Sequence, residues 1–259
     1  MKAIILAAGR GSRLGALTED RPKCLVEVAG RSLLSLQCAA LTQAGITQIG
    51  VVIGYRGELL AGRSLEVLAN PRWATSNMVV SLICAAQWLR QEPCIVSYAD
   101  IFYQPSTVRR LIDCRDDLAI AYDPAWRTLW EKRFADPLAD AETFQIDADN
   151  WIKTIGARPS TLDEVEGQYM GLLRFTPAGW SSVEAFLAKQ PPETVDRLDM
   201  TGMLMKLINS GNKIRGVAIN EPWGEVDCAS DIVLYEKMLA QGEIGFPDMD
   251  ELHRLRGGK

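Results

Sequence analysis

The chain has 259 residues, 47% hydrophobic and 24% charged, a balance that supports a substantial core and excludes extended disorder. Its 28 basic and 33 acidic residues leave a formal net charge of −5. They are mixed along the sequence, so there is no electrostatic footprint for nucleic acid or an anionic membrane, and a small-molecule ligand is the better expectation.

The amino-terminal "MKAIILAAG" is apolar for only about six residues before Gly9 and Arg10, short of a signal-peptide core, and reads as a strand. The helical "SLLSLQCAALTQAG" follows, then the strand-like "QIGVVIGY". "NMVVSLICAAQWL" reads as one helix, followed by "PCIVSYAD", "STVRRLIDC" and "DLAIAYD". Short β-rich runs separated by amphipathic helices predict an α/β fold, a Rossmann-like mixed, mostly parallel sheet with helices on both faces. In such sheets ligands bind beyond the carboxyl ends of the strands, which draws attention to the ends of "AIILAA" and "PCIVSYAD".

From about residue 124 the pattern loosens, with polar and aromatic residues around short strand-like pieces. "GQYMGLLRFT" and "KIRGVAI" then read as strands, and "GWSSVEAFLAK" and "DMTGMLMKLINSG" as helices. A last helix is predicted from Ser230, capped by that residue and ended by Gly242, with Asp231 serving the helix dipole. Without a Gly/Ser- or Pro-rich linker, residues 1–242 are expected to form a single domain with a substrate-facing region at about 124–200. Residues 243–259 read as a weakly ordered tail. No run approaches a membrane span, and the six dispersed cysteines, without a CxxC pair, fit a reducing cytoplasmic setting.

The chemistry concentrates first in the glycine turn. Gly9, Gly11 and Gly15 are spaced GxGxxxG, and Pro22 comes too soon for the long helix of a dinucleotide fold. A Walker A loop is excluded because no GK[ST] follows. What remains is a strand entering a loop whose amides can surround a polyphosphate, with Arg13 and Lys23 to neutralise it. The plainer alternative is a tight turn carrying solvated cations. The only histidine, His253, lies in the tail, which leaves little material for a histidine mechanism or a zinc site.

"LAAGRGSRLG" followed by "RPKCLVEVAGRSLL" resembles the signature of the nucleotidyltransferases that make nucleoside-diphosphate sugars and CDP-activated small molecules. The resemblance implies nucleotide contacts from Leu6, Ala7, Ala8, Gly9, Gly11, Ser12 and Ala99, with Lys23 and Arg13 acting on the phosphates. It further implies Mg2+ held by Asp100, at the end of "PCIVSYAD", and by Asp227 in "WGEVDCASD", with Glu225 as a fallback ligand. "NPRWATSNMVVSLICAAQWL" is more similar to bacterial phosphocholine cytidylyltransferases than to sugar nucleotidyltransferases, and it adds Asn77 and Ser81 to the nucleotide set. Thr75 or Asn77 acting only as a helix cap is the competing reading.

The expected reaction is transfer of CMP from CTP to a small, phosphocholine-like phosphorylated acceptor, with release of pyrophosphate. Candidate acceptor residues are Trp126, Trp130 and Tyr169 as aromatic faces for an ammonium, Asp123 or Asp199 as its counter-charge, Lys153 for the acceptor phosphate, and Glu225 as a further member of the set. A sugar 1-phosphate or a phosphoramidate such as phosphorylated glutamine is the alternative acceptor. A catalytically silent nucleotide-binding protein is the alternative from a different class.

Overall fold

The computed structural model describes residues 1–60 and 65–248. The first strand, β1 (Lys2–Ala7), is followed by the small hairpin β2 (Glu27–Val28) and β3 (Arg31–Ser32) and by α1 (Leu33–Gln43). Ser32 caps α1 by accepting from Ser35 N at 3.2 Å, which fixes where this helix starts. Strands β4 (Ile49–Ile53) and β5 (Glu66–Ala69) follow.

The stretch expected as one helix is two, α2 (Met78–Ile83) and α3 (Ala86–Gln91), because Ala85 departs from helical geometry at φ −98°, ψ 9°. Next come β6 (Cys94–Tyr98), β7 (Ile101–Phe102) and α4 (Pro105–Asp113). Pro105 opens α4, and the helix buries Thr107, Val108 and Leu111 while Arg109 and Arg110 face out.

The second half adds β8 (Leu118–Asp123), α5 (Trp126–Arg133) and the hairpin β9 (Phe144–Ile146) and β10 (Ile152–Ile155). The long strand β11 (Gln168–Phe175), α6 (Pro177–Leu187), α7 (Pro192–Arg197) and α8 (Met200–Asn209) come next. The described chain then forms β12 (Arg215–Ala218), β13 (Gly224–Glu225) and α9 (Ala229–Ala240).

Seven strands form the central sheet in the order β12-β8-β11-β6-β1-β4-β5. Every neighbouring pair is parallel except the two made by β11, which runs antiparallel to both β6 and β8. This is the mixed, mostly parallel sheet expected from the sequence. Two apolar layers cover its faces, one holding α1, α4, α5 and α9 and the other α2, α3, α6 and α8. With helices on both faces the central strands read as near-continuous apolar runs, as "AIILA" does.

One further expectation changes. The supposed tail begins later than residue 243, because Ile244 is buried and the Phe246 ring lies 5.3 Å from that of Phe102; residues 249–259, with His253, lie outside the described residues. No disulfide links the six cysteines. Among the described residues no helix is long and apolar enough to cross a membrane.

In β11 the ladder shifts register between Tyr169 and Leu173, where Gly171 takes φ +80°. A Cβ there would sit 2.7 Å from Tyr98 Cγ, so the bulge depends on glycine both for its backbone and for its contact with β6. Gly171→Ala is therefore expected to lower stability by more than ~1 kcal/mol, read from urea denaturation with an unchanged m-value.

Candidate active site

The glycine turn leaves the sheet at the carboxyl end of β1. Gly11 adopts φ +68°, and a Cβ at this position would lie 2.9 Å from Lys23 Cβ. The loop therefore closes against the stem of Lys23, and Thr18 Oγ1 ties it down by donating to Gly11 O at 2.9 Å. Lys23 is fed into the site by a single 3-10 turn, Lys23–Leu25, and its side chain is only 10% exposed.

The lysine ends between two carboxylates. Its Nζ donates to Asp100 Oδ2 at 2.7 Å and to Asp227 Oδ1 at 2.6 Å. The two aspartates are 127 positions apart in sequence and meet through one short ladder. β13 pairs antiparallel with β7, Glu225 opposite Ile101, and Val226 N donates to Asp100 O at 2.9 Å. Gly224 permits that pairing, since a Cβ there would lie 2.5 Å from the Phe102 ring.

Asp100, Glu225 and Asp227 bring one carboxylate oxygen each within 4.8 Å of one another. Asp100 Oδ1 is buried without a protein partner, an acceptor that a cation would satisfy. Three hard oxygen donors at this spacing could hold a divalent metal ion.

Charge balance sets the protonation of the cluster. Burial works against the Lys23 ammonium, but Asp100 and Asp227 outweigh it and hold the lysine protonated above its ordinary range. Burial likewise raises Asp227, and Lys23 and Arg13 more than reverse this, leaving its carboxyl low. Glu225 is pushed well up by burial and by the charges of Asp227 and Asp100. Arg13 Nη2 reaches Asp227 Oδ1 at 3.0 Å from a side chain that is 67% exposed, so it sits on the open side of the cluster.

Behind the carboxylates lies Arg133, which nothing in the sequence pattern marked. Its side chain is fully buried, with the Trp130 and Phe134 rings each 4.9 Å away. Its Nε donates to Asp231 Oδ1 at 3.0 Å, its Nη1 lies 3.4 Å from Glu225 Oε2, and its Nη2 lies 3.8 Å from Asp227 Oδ2. Asp231 in turn accepts from the backbone N–H of Asp227 at 2.8 Å and of Cys228 at 3.0 Å. Cys228, not Ser230, is thus the cap of α9, and Asp231 is more than a dipole residue because it anchors the backbone under Asp227.

Two small cavities meet at Arg13, Met78 and Tyr98, on either side of the carboxylates. The first, of about 210 Å³, is lined by Leu6, Ala7, Ala8, Gly9, Gly11 and Lys23, and further round by Asn77, Ser81, Ala99 and Asp100. Ser12 is exposed and lies outside this lining. Asn77 also caps α2 by accepting from Met78 N at 2.8 Å, and Ser81 Oγ accepts from Asn70 Nδ2 at 3.0 Å.

The second cavity, of about 220 Å³, takes Tyr169 and Asp199 from the expected acceptor set and shares Glu225 and Asp227 with the cluster. It adds Asp140, Glu142 and Gln168, which sequence reasoning passed over. Burial raises Asp140, and burial together with the charges of Asp199 and Asp140 pushes Glu142 up to about 7.

The remaining acceptor candidates are placed elsewhere. Trp126 and Trp130 are core residues: Trp126 Nε1 donates to Val165 O, and the Trp130 ring packs on Trp223 at 5.9 Å. Lys153 is an exposed residue of β10 and lines neither cavity.

Residues 3–158 match the family described as the MobA-like NTP transferase domain. The CTP:phosphoglutamine cytidylyltransferase of Campylobacter jejuni is 37% identical over 248 residues, covering 90% of this chain and 98% of that protein. The choline-phosphate cytidylyltransferase of Streptococcus pneumoniae is 40% identical over 86 residues, 32% of this chain and 38% of that one. Among solved structures, the inositol-1-phosphate CTP transferase of T. maritima superposes with a TM-score of 0.72 at 20% identity, covering 94% of this chain and 97% of that one. The latter likeness establishes the shared fold.

Two outcomes follow from these contacts. Arg133→Met, which leaves buried Asp231 and Glu225 without their cation, is expected to cost ~3–5 kcal/mol in urea unfolding. Glu142 binds its proton more tightly when folded, so its contribution to stability is full below the ordinary value of 4.5 and is lost as pH rises through about 7. Glu142→Gln should remove that part of the decline in Tm between pH 5 and pH 8.

Proposed function

We propose that this chain, which belongs to the family of MobA-like NTP transferase domains, is a magnesium-dependent cytidylyltransferase that joins CMP to a small phosphorylated acceptor. The observation that carries this reading is the buried Lys23 ammonium at 2.6–2.7 Å from Asp100 and Asp227, directly beneath the glycine loop. A triphosphate in the first cavity would bring its α-phosphate to this cluster. An acceptor in the second cavity would approach from the other side.

In the reaction, an acceptor phosphate oxygen attacks the α-phosphorus of CTP. A new P–O bond forms as the bond from the α-phosphorus to the bridging oxygen breaks, and pyrophosphate leaves with the electron pair. The attacking phosphate is already largely dianionic at neutral pH, its second pKa being roughly 6, so no general base is required. The demand falls on positioning and charge.

Lys23 supplies a fixed positive charge at the α-phosphate, and Arg13, on the exposed side, meets the departing pyrophosphate. Asp100, Glu225 and Asp227 would hold Mg2+, which neutralises phosphate charge as it shifts toward the leaving group. Arg133 keeps Glu225 and Asp227 in place. Ala7, Ala8 and Gly9 present a backbone surface without bulky side chains to the nucleotide.

For the acceptor, the Campylobacter jejuni relative covers nearly the whole chain and names phosphoglutamine, whereas the choline-phosphate relative covers about a third. The burial of Trp126 and Trp130 removes the aromatic cage on which a phosphocholine reading leaned. We therefore place a phosphoramidate of an amino acid first. The edge-on pair Tyr98 and Tyr169, with centroids 5.7 Å apart, is the one feature that keeps phosphocholine as the second reading.

Pyrophosphate release measured over four nucleoside triphosphates, with phosphoglutamine, phosphocholine and a sugar 1-phosphate as acceptors, tests the proposal. Turnover is expected with CTP and an amine-bearing acceptor; turnover confined to sugar 1-phosphates would overturn it. Lys23→Ala and Asp100→Asn should each lower kcat/KM by roughly 10²-fold or more. Arg13→Ala, with its exposed side chain, should cost less than either.

A further inference from the structure

We infer that the second cavity is a primary-ammonium subsite, in which Glu142, Asp199 and the side-chain carbonyl of Gln168 hold the charged amine of the acceptor. This rests on the cytidylyltransferase reading and deepens it. Phosphorylated alcohols that carry no amine, sugar phosphates and quaternary amines are the acceptors it disfavours.

Charge is the first ground. Among the described residues lining the cavity, Arg13 is the only cation, and it lies at the junction with the nucleotide side, already engaged with Asp227. The same lining carries Asp140, Glu142 and Asp199, and Asp199 and Asp140 both act on Glu142. Crowded carboxylates facing a small enclosed space repel one another, and a ligand cation relieves that repulsion.

The second ground is independent of charge. Gln168, at the start of β11, is 6% exposed, and its Oε1 is buried with no hydrogen-bond partner. A buried amide carbonyl left unpaired costs stability, and natural cores satisfy nearly all such groups. The same side chain lines the cavity, so its missing donor is one that a ligand can bring.

Donor count then selects the kind of cation. A primary ammonium carries three N–H donors, which matches one amide carbonyl and two carboxylates. A trimethylammonium has none and would leave Gln168 Oε1 unpaired. Backbone supports the arrangement from both sides: Asp199 is fixed by accepting from Gly202 N at 2.8 Å as the cap of α8, and the Gly171 bulge shapes the wall just beyond Tyr169. The cavity shares Asp227 with the Lys23 cluster, so an ammonium held at Glu142, Asp199 and Gln168 leaves the acceptor's phosphate free to point at Lys23.

The test compares phosphoglutamine with its analogue lacking the α-amino group, and with phosphocholine, using the full chain with CTP and Mg2+. The amine is expected to raise kcat/KM by roughly 10- to 100-fold over the desamino analogue. Glu142→Gln and the near-isosteric Gln168→Leu should each raise the acceptor KM and shrink that ratio, while leaving the KM for CTP within about twofold. A desamino analogue used as well as phosphoglutamine, or a ratio unmoved by both variants, would overturn the inference.

Calorimetric binding of the same two compounds in the presence of CMP and Mg2+ separates the two levels. Amine-dependent binding without turnover sinks the transfer reading alone. Equal binding of both compounds sinks the subsite.

Discussion

Three carboxylates drawn into one half-buried cluster are the constraint around which this molecule is arranged. Isolated, Asp100, Glu225 and Asp227 would repel one another and resist leaving water. The protein answers with cations on different sides: Lys23 between Asp100 and Asp227, Arg13 on the open side and Arg133 from within. A polyphosphate chemistry needs this arrangement, since the same groups that restrain the carboxylates can face the phosphate oxygens.

The sheet order makes the cluster possible. Adjacency of β1 and β6 brings the glycine loop and Asp100 to one sheet edge, because parallel strands end on the same side. Asp227 cannot arrive that way, as it comes from the far end of the chain; the β7–β13 pair supplies it with a short independent ladder. Arg133, enclosed by aromatic rings and held by Asp231, then converts the start of α9 into a rigid mount. Trp130, which resembles a cage residue in sequence, contributes here instead as part of that mount, and Trp126 packs edge-on against it.

What could be read in advance follows from the range of each interaction. The alternating strands and helices, the loop with Gly9, Gly11 and Lys23, and the placing of Asp100 are local properties of short segments, and these were legible. So were Asp227 and Glu225, through a contiguous motif. Arg133 was not, because "WEKRF" reads as a solvated helix end until Asp231, 98 positions away, folds over it. Glu142 and Gln168 were hidden for the same reason, each ordinary in its own segment. Lys153 failed in the opposite sense: a basic residue at a strand end suggested a phosphate partner, yet the β9–β10 hairpin carries it away from the cleft. The break at Ala85 had no signal, since neither a Gly nor a Pro interrupts "NMVVSLICAAQWL".

The contact between Gly11 and the stem of Lys23 has a thermodynamic consequence for how tightly this site can grip a nucleotide. A free lysine side chain loses up to ~2 kcal/mol of rotamer entropy when it is fixed. Here the glycine loop and the two aspartates immobilise it during folding, before any ligand arrives. The binding step is thereby relieved of that cost, and the affinity for triphosphate reflects its contacts more fully than it would with a mobile lysine.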